Sequence, residues 1–372
     1  MMKTILHVSK YYYPDLGGIE TVAMYLAEGL KDYHNIVICF SKDKKYHEED
    51  INGVKVYRVP VNYSFMSQDI SFRYYGILKK LVSYYQPFAV HVHCPNPFVY
   101  PMVTHAISQE TKLIAHWHSD ILSKGIMYDL IKPFEKHFLD RADLVISTSP
   151  NYINYSKPLM EHIDKVKVAQ NGLITSSFDL QPEDKERIQA IKQKYDNKKI
   201  VLFVGRHVPY KGIDYLIRSE QYIKSDCVIL IAGTGPQTHT LQSIPRSNRV
   251  VFIGKLPDQD LRCYAHAATV FAFPSITKAE AFGIALAEAM YCKSTPVTFS
   301  IKGSGVNWVS IKDVTCEEVP LKDEKAFGEA IDKLLSDENL CQKYALAGYQ
   351  RIIDNFTETK AIEIMANIYK NL

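Results

Sequence analysis

The chain lacks three things whose absence narrows its chemistry. Its seven cysteines, at positions 39, 94, 227, 263, 292, 316 and 341, include no Cys-x-x-Cys pair, so neither a disulfide framework nor a zinc knuckle is indicated. Its formal net charge is only +3 over 372 residues, too small to argue for a nucleic-acid partner. It has no apolar run of membrane-spanning length, and the opening Met-Met-Lys-Thr-Ile-Leu is broken by His7. That opening reads as a first β-strand rather than a signal peptide, and a reduced, cytoplasmic setting is expected. What remains is ordinary globular composition, 47% hydrophobic and 23% charged, at a length that favours two domains. Tyrosine stands out, with 25 residues.

Apolar, β-branched runs alternate with longer helical patterns almost throughout, which is the α/β signature. In the first half strands are expected at Thr4–Val8, Asn35–Phe40, Val54–Arg58, Ala89–His93, Lys112–His116 and Leu144–Ser147. The rhythm restarts at Lys199–Val204 and continues through Val228–Ala232, Val250–Gly254, Val270–Phe273, Ser294–Thr298 and Thr315–Glu318, with a helix expected at Tyr210–Ile223. Two such series imply two Rossmann-like, doubly wound domains. The boundary falls near Gly172–Phe178, dividing residues 1–175 from 176–355. Ligands of open parallel sheets sit beyond the carboxyl ends of the strands, and the chemically informative residues cluster at those ends.

The most informative of these stretches is Pro274–Met290, where Glu280 and Glu288 bracket Phe282-Gly283-Ile284 ahead of a strong helix former. Glu280 is expected in the loop after a buried strand and Glu288 on the second turn of the helix. The amides of Phe282, Gly283 and Ile284 would then face whatever lies between, and a helix start with open N–H groups suits phosphate. Arg206 and Lys211, five residues apart after the strand Lys199–Val204, can converge on one diphosphate: Arg supplies a fork of donors, Lys a mobile point charge. Two solvated loop cations are the plain alternative. Gly17-Gly18 follows the first strand and opens a helix, which fits either close approach to a ligand or a tight turn.

His116-Trp-His118-Ser-Asp120 follows the fifth strand, and His118 and Asp120 are its candidate ligand-facing residues, a structural histidine being the ordinary alternative. His91 and His93 have an alternate-residue spacing that could suit a metal, but no carboxylate follows at ligand spacing, so packing or cleft lining is the expected role. Gly233-Thr-Gly235-Pro and Gly254-Lys255-Leu256-Pro are short glycine turns. A nucleotide base could hydrogen-bond the open backbone at Lys255 and Leu256, though either turn alone could be punctuation.

Taken in order, Pro14-Asp-x-Gly17-Gly18-x-Glu20, Val204-Gly-Arg206 with Lys211-Gly, Gly233-x-Gly235-Pro and Glu280-x-Phe-Gly-x-x-x-x-Glu288-Ala resemble a retaining glycosyltransferase of family 4. The resemblance covers essentially the whole chain. It implies the GT-B fold, two Rossmann-like domains facing a central cleft, with the final helix (356–372) returning to the first domain. Ser304-Gly-Val-Asn-Trp308 and Trp117-His-Ser-Asp120 are similar to enzymes that add mannose-like sugars in bacterial surface-polysaccharide assembly.

The family's roles, carried to matching positions, place Arg206 and Lys211 on the donor diphosphate with help from the Gly18 amide. Glu288 would take the ribose hydroxyls, Glu280 the transferred sugar, and His118 the side of the anomeric centre. A nucleotide-diphosphate sugar donor, a glycan or polyprenyl-linked acceptor, and no metal or other cofactor are implied. An epimerase, or a non-catalytic nucleotide-sugar-binding subunit, remains open.

Ser64–Gln86 carries Phe65, Phe72, Tyr74, Tyr75, Tyr84 and Tyr85 with Arg73, Lys79 and Lys80. Ile126–His137 adds Tyr128, Phe134, Lys132 and Lys136. Such surfaces can lie on an anionic membrane, here at its inner face; the plain alternative has the aromatics in the core and the lysines in water.

Overall fold

The computed structural model describes residues 2–65, 68–121 and 126–372, and for Phe65, Ile126 and Met127 the backbone alone. The chain divides into two compact units, Met1–Gly172 with Glu358–Leu372, and Leu173–Thr357.

Unit 1 carries β1 (Thr4–Val8), β2 (His34–Ser41), β3 (His47–Ile51), β4 (Val54–Pro60), a separate hairpin of β5 (Tyr63–Phe65) and β6 (Gln68–Ile70), then β7 (Ala89–Cys94), β8 (Lys112–Trp117), β9 (Leu144–Ser147) and β10 (Val166–Val168). Its main sheet runs β10-β9-β8-β7-β1-β2-β4-β3, parallel except where β3 lies antiparallel on β4. Every residue of β7 is buried, as a strand covered on both faces requires. β3, His-Glu-Glu-Asp-Ile, lies outside the sequence expectation because an edge strand facing water carries no apolar alternation. Register against β4 and a contact from Arg58 Nε to Glu49 hold it instead. The final helix, Glu358–Lys370, packs on the helix Gly18–Gly29, where Ile362 lies so close to Gly29 that an added Cβ would meet its Cδ1 at 2.3 Å.

Unit 2 carries β11 (Lys199–Val204), β12 (Cys227–Ala232), β13 (Val250–Gly254), β14 (Val270–Phe273), β15 (Thr295–Phe299) and β16 (Glu317–Val319), ordered β13-β12-β11-β14-β15-β16 and parallel throughout. Alternation along the strands feeds two apolar layers. Ile200, Leu202, Phe271 and Phe273 pack with the helix Ile284–Tyr291 on one face. Val201, Phe203, Ile229 and Ile231 pack with Ile213–Ser219 and Glu324–Ser336 on the other.

The single helix expected over Tyr210–Ile223 is broken. Gly212 adopts φ 61°, so the chain makes a 3-10 turn at Pro209–Lys211 before the α-helix starts at Ile213. A side chain at Gly212 would meet the Pro274 carbonyl oxygen at 2.1 Å. That close approach brings the Lys211 segment against the loop that follows β14.

The aromatic, basic stretch divides between the two expected roles. Tyr74, Leu78 and Leu81 are buried, whereas Phe72, Tyr75 and Tyr84 are exposed beside exposed Arg73, Lys79 and Lys80. In Ile126–Arg141, Phe138 is buried, and Leu130 and Phe134 are exposed near Lys132 and Lys136. The side chains of Phe65 and Ile126 lie outside the described residues. No helix among the described residues is long and apolar enough to cross a membrane.

Candidate active site

In unit 2 the loops after β11, β12, β13 and β14 gather most of the residues singled out from sequence. Val204, Gly205, Arg206, Gly233, Lys255 and Leu256 line one cavity of about 380 Å³. Gly233 sits at φ +117°, and a Cβ there would meet the Gly205 carbonyl oxygen at 1.9 Å, so glycine is what lets these two loops close. Gly235 is not part of the cavity wall. Its amide donates to Thr238 Oγ1 at 2.9 Å and its Cα packs on the His207 backbone, a bracing role. Arg206 is exposed and makes no ion pair among the described residues.

Sixty-nine residues separate Lys211 from Glu280, yet Lys211 Nζ donates directly to Glu280 Oε2. The two side chains keep only 10% and 13% of their surface accessible. Ser275 Oγ donates to the same carboxylate oxygen at 3.1 Å, and the Lys211 ammonium lies 5.2 Å from the Phe273 ring centre. An ammonium ion-paired this way is oriented before any ligand arrives. Tyr210 lies beside the pair; burial raises its hydroxyl pKa, while Lys211 and Arg206 pull it back.

The loop carrying Glu280 is fixed from behind by the segment that follows β15. Ser304 Oγ donates to the Glu280 carbonyl at 2.5 Å, and Gly305 packs so tightly that a Cβ would meet the Ala281 carbonyl oxygen at 1.8 Å. Asn307 holds that segment in turn, donating to the Phe299 carbonyl and to Glu318 and accepting from the Ile301 amide. Ser275 and Ser304 were missed as site residues. Position relative to Glu280 was the only available signal for Ser275, and for Ser304 it was the Ser-Gly-Val-Asn-Trp stretch.

Phe282 buries its ring in the core against Phe356, so only its backbone is available to a ligand. Gly283, at φ +89°, turns the chain into the helix Ile284–Tyr291. The amides of Phe282, Gly283 and Ile284 have no acceptor among the described residues. Glu288 lies one turn on. It keeps some exposure, but the protein around its carboxyl group pushes the pKa up to about 7, against the opposing pull of Lys211. The spacing Asp258-Gln-Asp260 resembles a metal-binding triplet, but it forms the first turn of a helix and Asp260 is ion-paired with Arg187 at 2.9 Å.

In unit 1, Gly17 and Gly18 are exposed at the start of the helix Gly18–Gly29. Glu20 curls back onto the amide of Gly17, so part of this helix start is already capped by the chain itself. Asp120 braces its own loop: Oδ1 accepts from Trp117 Nε1 at 2.9 Å and from Ser156 Oγ at 2.6 Å. His118 is 6% exposed, stacks on His116 at 4.1 Å between ring centres, and pairs through Nε2 with His93 Nδ1 at 3.2 Å. Burial lowers its pKa to about 3, so it is a neutral hydrogen-bonding group at physiological pH, not a cation or a general acid.

Two family models match the chain in tandem. Residues 16–177 match Glycosyltransferase Family 4, and residues 184–351 match Glycosyl transferases group 1. The O-antigen chain mannosyltransferase C of Escherichia coli is 28% identical over 99% of this chain and 98% of its own. The D-rhamnosyltransferase WbpZ of Pseudomonas aeruginosa is 28% identical over 88% of this chain and 85% of its own. Among solved structures, the sucrose-phosphate synthase of Thermosynechococcus elongatus superposes with a TM-score of 0.82 at 20% identity, covering 99% and 98% of the two chains. With both halves matched by family models and two Rossmann-like units in the fold, the chain belongs to the GT-B glycosyltransferases, a family 4 domain followed by a group 1 domain.

Proposed function

We propose that this glycosyltransferase moves a hexose, mannose-like, from a nucleotide-diphosphate sugar to a glycan or polyprenyl-linked acceptor during surface-polysaccharide assembly, with retention of configuration. The observation that carries the reading is the Lys211–Glu280 pair, set beside Arg206 and a run of open amides at a helix start. Arg206 and Lys211 stabilise the diphosphate as negative charge develops on it, which is where a preorganised cation contributes most. Glu280 accepts from the sugar hydroxyls, Glu288 from the ribose, and the backbone at Lys255 and Leu256 meets the base. Gly18 offers an amide to the diphosphate, and neutral His118 offers a hydrogen bond to the sugar. The leaving phosphate takes the acceptor's proton in a front-face attack, so no protein nucleophile and no added metal are required.

The mannose-like lean rests on the kinship with the mannosyltransferase and on the Ser304–Trp308 segment, which shapes the Glu280 loop. The exposed Phe72, Tyr75 and Tyr84 with Arg73, Lys79 and Lys80 support a peripheral contact with an anionic membrane at its inner, cytoplasmic face. Liposome flotation with anionic lipid tests that contact, and no binding at low salt counts against it. The donor is tested by thermal unfolding against UDP, GDP and ADP: a ligand at 100 times its Kd stabilises by about 2.7 kcal/mol. Transfer assays with the matching sugar nucleotides, read by the anomeric proton of the product, test retention. Tight donor binding with no turnover on any acceptor would refute the transferase reading.

A further inference from the structure

Five histidines share one face of the unit 1 sheet: His7 on β1, His91 and His93 on β7, His116 on β8 and His118 just past it. None is more than 6% exposed. The strand register produces the cluster, since His7 lies opposite His91, His93 lies opposite His116, and alternate residues of a strand point the same way. The rings stack, His91 on His93 at 4.6 Å between centres and His7 on His91 at 5.2 Å.

Such a cluster leaves polar atoms stranded. His7 Nδ1, His93 Nε2, His116 Nε2 and His118 Nδ1 are buried without a hydrogen-bond partner. Each orphan is a polar group taken from water with nothing to replace it, and a bound ligand would relieve that cost where it engages them. His91, His93 and His116 each bring one ring nitrogen within 4.8 Å of the other two. His91 Nε2 and His116 Nδ1 are 3.1 Å apart, close to the roughly 3.3 Å between two nitrogens bound tetrahedrally to one zinc ion.

The outer contacts of His91 and His93 have the form that ligating imidazoles require, whereas His116 Nε2 has no partner. His91 Nδ1 is engaged by the Tyr369 hydroxyl, and His93 Nδ1 by His118 Nε2. The spacing His-x-His shows two of these ligands in sequence. The third comes from the neighbouring strand, through the pairing of His93 with His116.

We propose that His91, His93 and His116 form a three-histidine site for a zinc-class divalent ion, an imidazole-preferring metal rather than magnesium or calcium. The ion is structural: it joins β7 to β8 in unit 1 and takes no part in the diphosphate chemistry of unit 2.

The test uses the full chain purified without a polyhistidine tag. Metal analysis of the chain incubated with zinc and desalted is expected to give about one equivalent per chain, with a raised unfolding temperature. Cobalt in place of zinc, with water or a buffer anion as the fourth ligand, is expected to give the visible absorption of a tetrahedral site. His93→Gln and His116→Gln are expected to bind at least about tenfold more weakly. His105→Gln, an exposed histidine on the helix Tyr100–Ala106, is expected to bind like the parent. Less than about a tenth of an equivalent in the parent chain would overturn the proposal. So would full zinc retention in a folded His93→Gln/His116→Gln double variant. Should the variants fail to fold, the stoichiometry and cobalt spectrum of the parent chain decide.

Discussion

Lys211 and Glu280 offer a perturbation in which stability and catalysis should part company. Removing one partner of a buried ion pair typically costs about 3–5 kcal/mol, because the other charge is left behind unpaired. Here the side chains retain 10% and 13% exposure and Ser275 still donates to Glu280, so Lys211→Met should cost no more than the lower end of that range, about 3 kcal/mol. Glu280→Gln strands an ammonium that can turn toward water, and about 1–2 kcal/mol is expected. Replacing both removes both charges, so the Lys211→Met/Glu280→Gln double variant should unfold within about 1 kcal/mol of the parent, a coupling of roughly 2 kcal/mol or more. Transfer behaves differently: a lost preorganised donor is not restored by restoring the fold. Each single variant and the double should therefore turn over about 10²-fold more slowly or worse, about 2.7 kcal/mol of transition-state stabilisation. Urea unfolding of the four proteins and initial rates at saturating donor measure both quantities. Recovery of turnover along with stability in the double variant would refute the reasoning, as would single variants that unfold like the parent.

Further expectations follow from the same geometry. Arg206→Ala removes an exposed side chain with no described ion pair, so unfolding should move by less than about 0.5 kcal/mol while turnover falls about 10²-fold; an active variant would remove Arg206 from the diphosphate. Glu288 has its carboxyl pKa raised to about 7, so the folded protein holds an extra proton and loses stability as pH rises from the ordinary carboxylate range through 7. Glu288→Gln should accordingly be more stable than the parent by about 3 kcal/mol above pH 7, with the gap closing below pH 5. If ionised Glu288 takes the ribose, nucleotide affinity of the parent also strengthens with rising pH and that dependence vanishes in the variant; parallel pH profiles for the two proteins would contradict this. Gly305→Ala places a methyl group 1.8 Å from the Ala281 carbonyl, so a cost of about 1–3 kcal/mol and loss of transfer are expected, and a fully active variant would show that the Glu280 loop tolerates displacement.

Much of the fold was legible because fully buried parallel strands must be continuously apolar. Lys199–Val204, Val270–Phe273 and Leu144–Ser147 stand where their runs of β-branched and aromatic residues placed them, and so does the half-buried edge strand Val250–Gly254. β3 and the hairpin β5–β6 were not legible, because their stability comes from register and side-chain contacts rather than from apolar alternation. The site was legible residue by residue but not pair by pair. Arg206, Lys211, Glu280 and Glu288 each carried a local signal, whereas the Lys211–Glu280 bond depends on Gly212 letting two loops touch. Asp120 shows the converse: its loop position suggested a ligand contact, and the fold uses its carboxylate to hold Trp117 and Ser156. The third histidine of the unit 1 cluster, on a neighbouring strand, becomes visible only once β7 and β8 are paired.

Arg206 and Lys211 are proposed to bind a donor diphosphate beside the cavity that Arg206 lines in unit 2. Calorimetric titration of the parent and of Arg206→Ala with a nucleoside and with its diphosphate, for uridine, guanosine and adenosine in turn, tests it directly. One diphosphate should bind the parent far more tightly than its nucleoside, and Arg206→Ala should erase most of that advantage while leaving nucleoside affinity unchanged. An undiminished diphosphate advantage in Arg206→Ala would contradict the account.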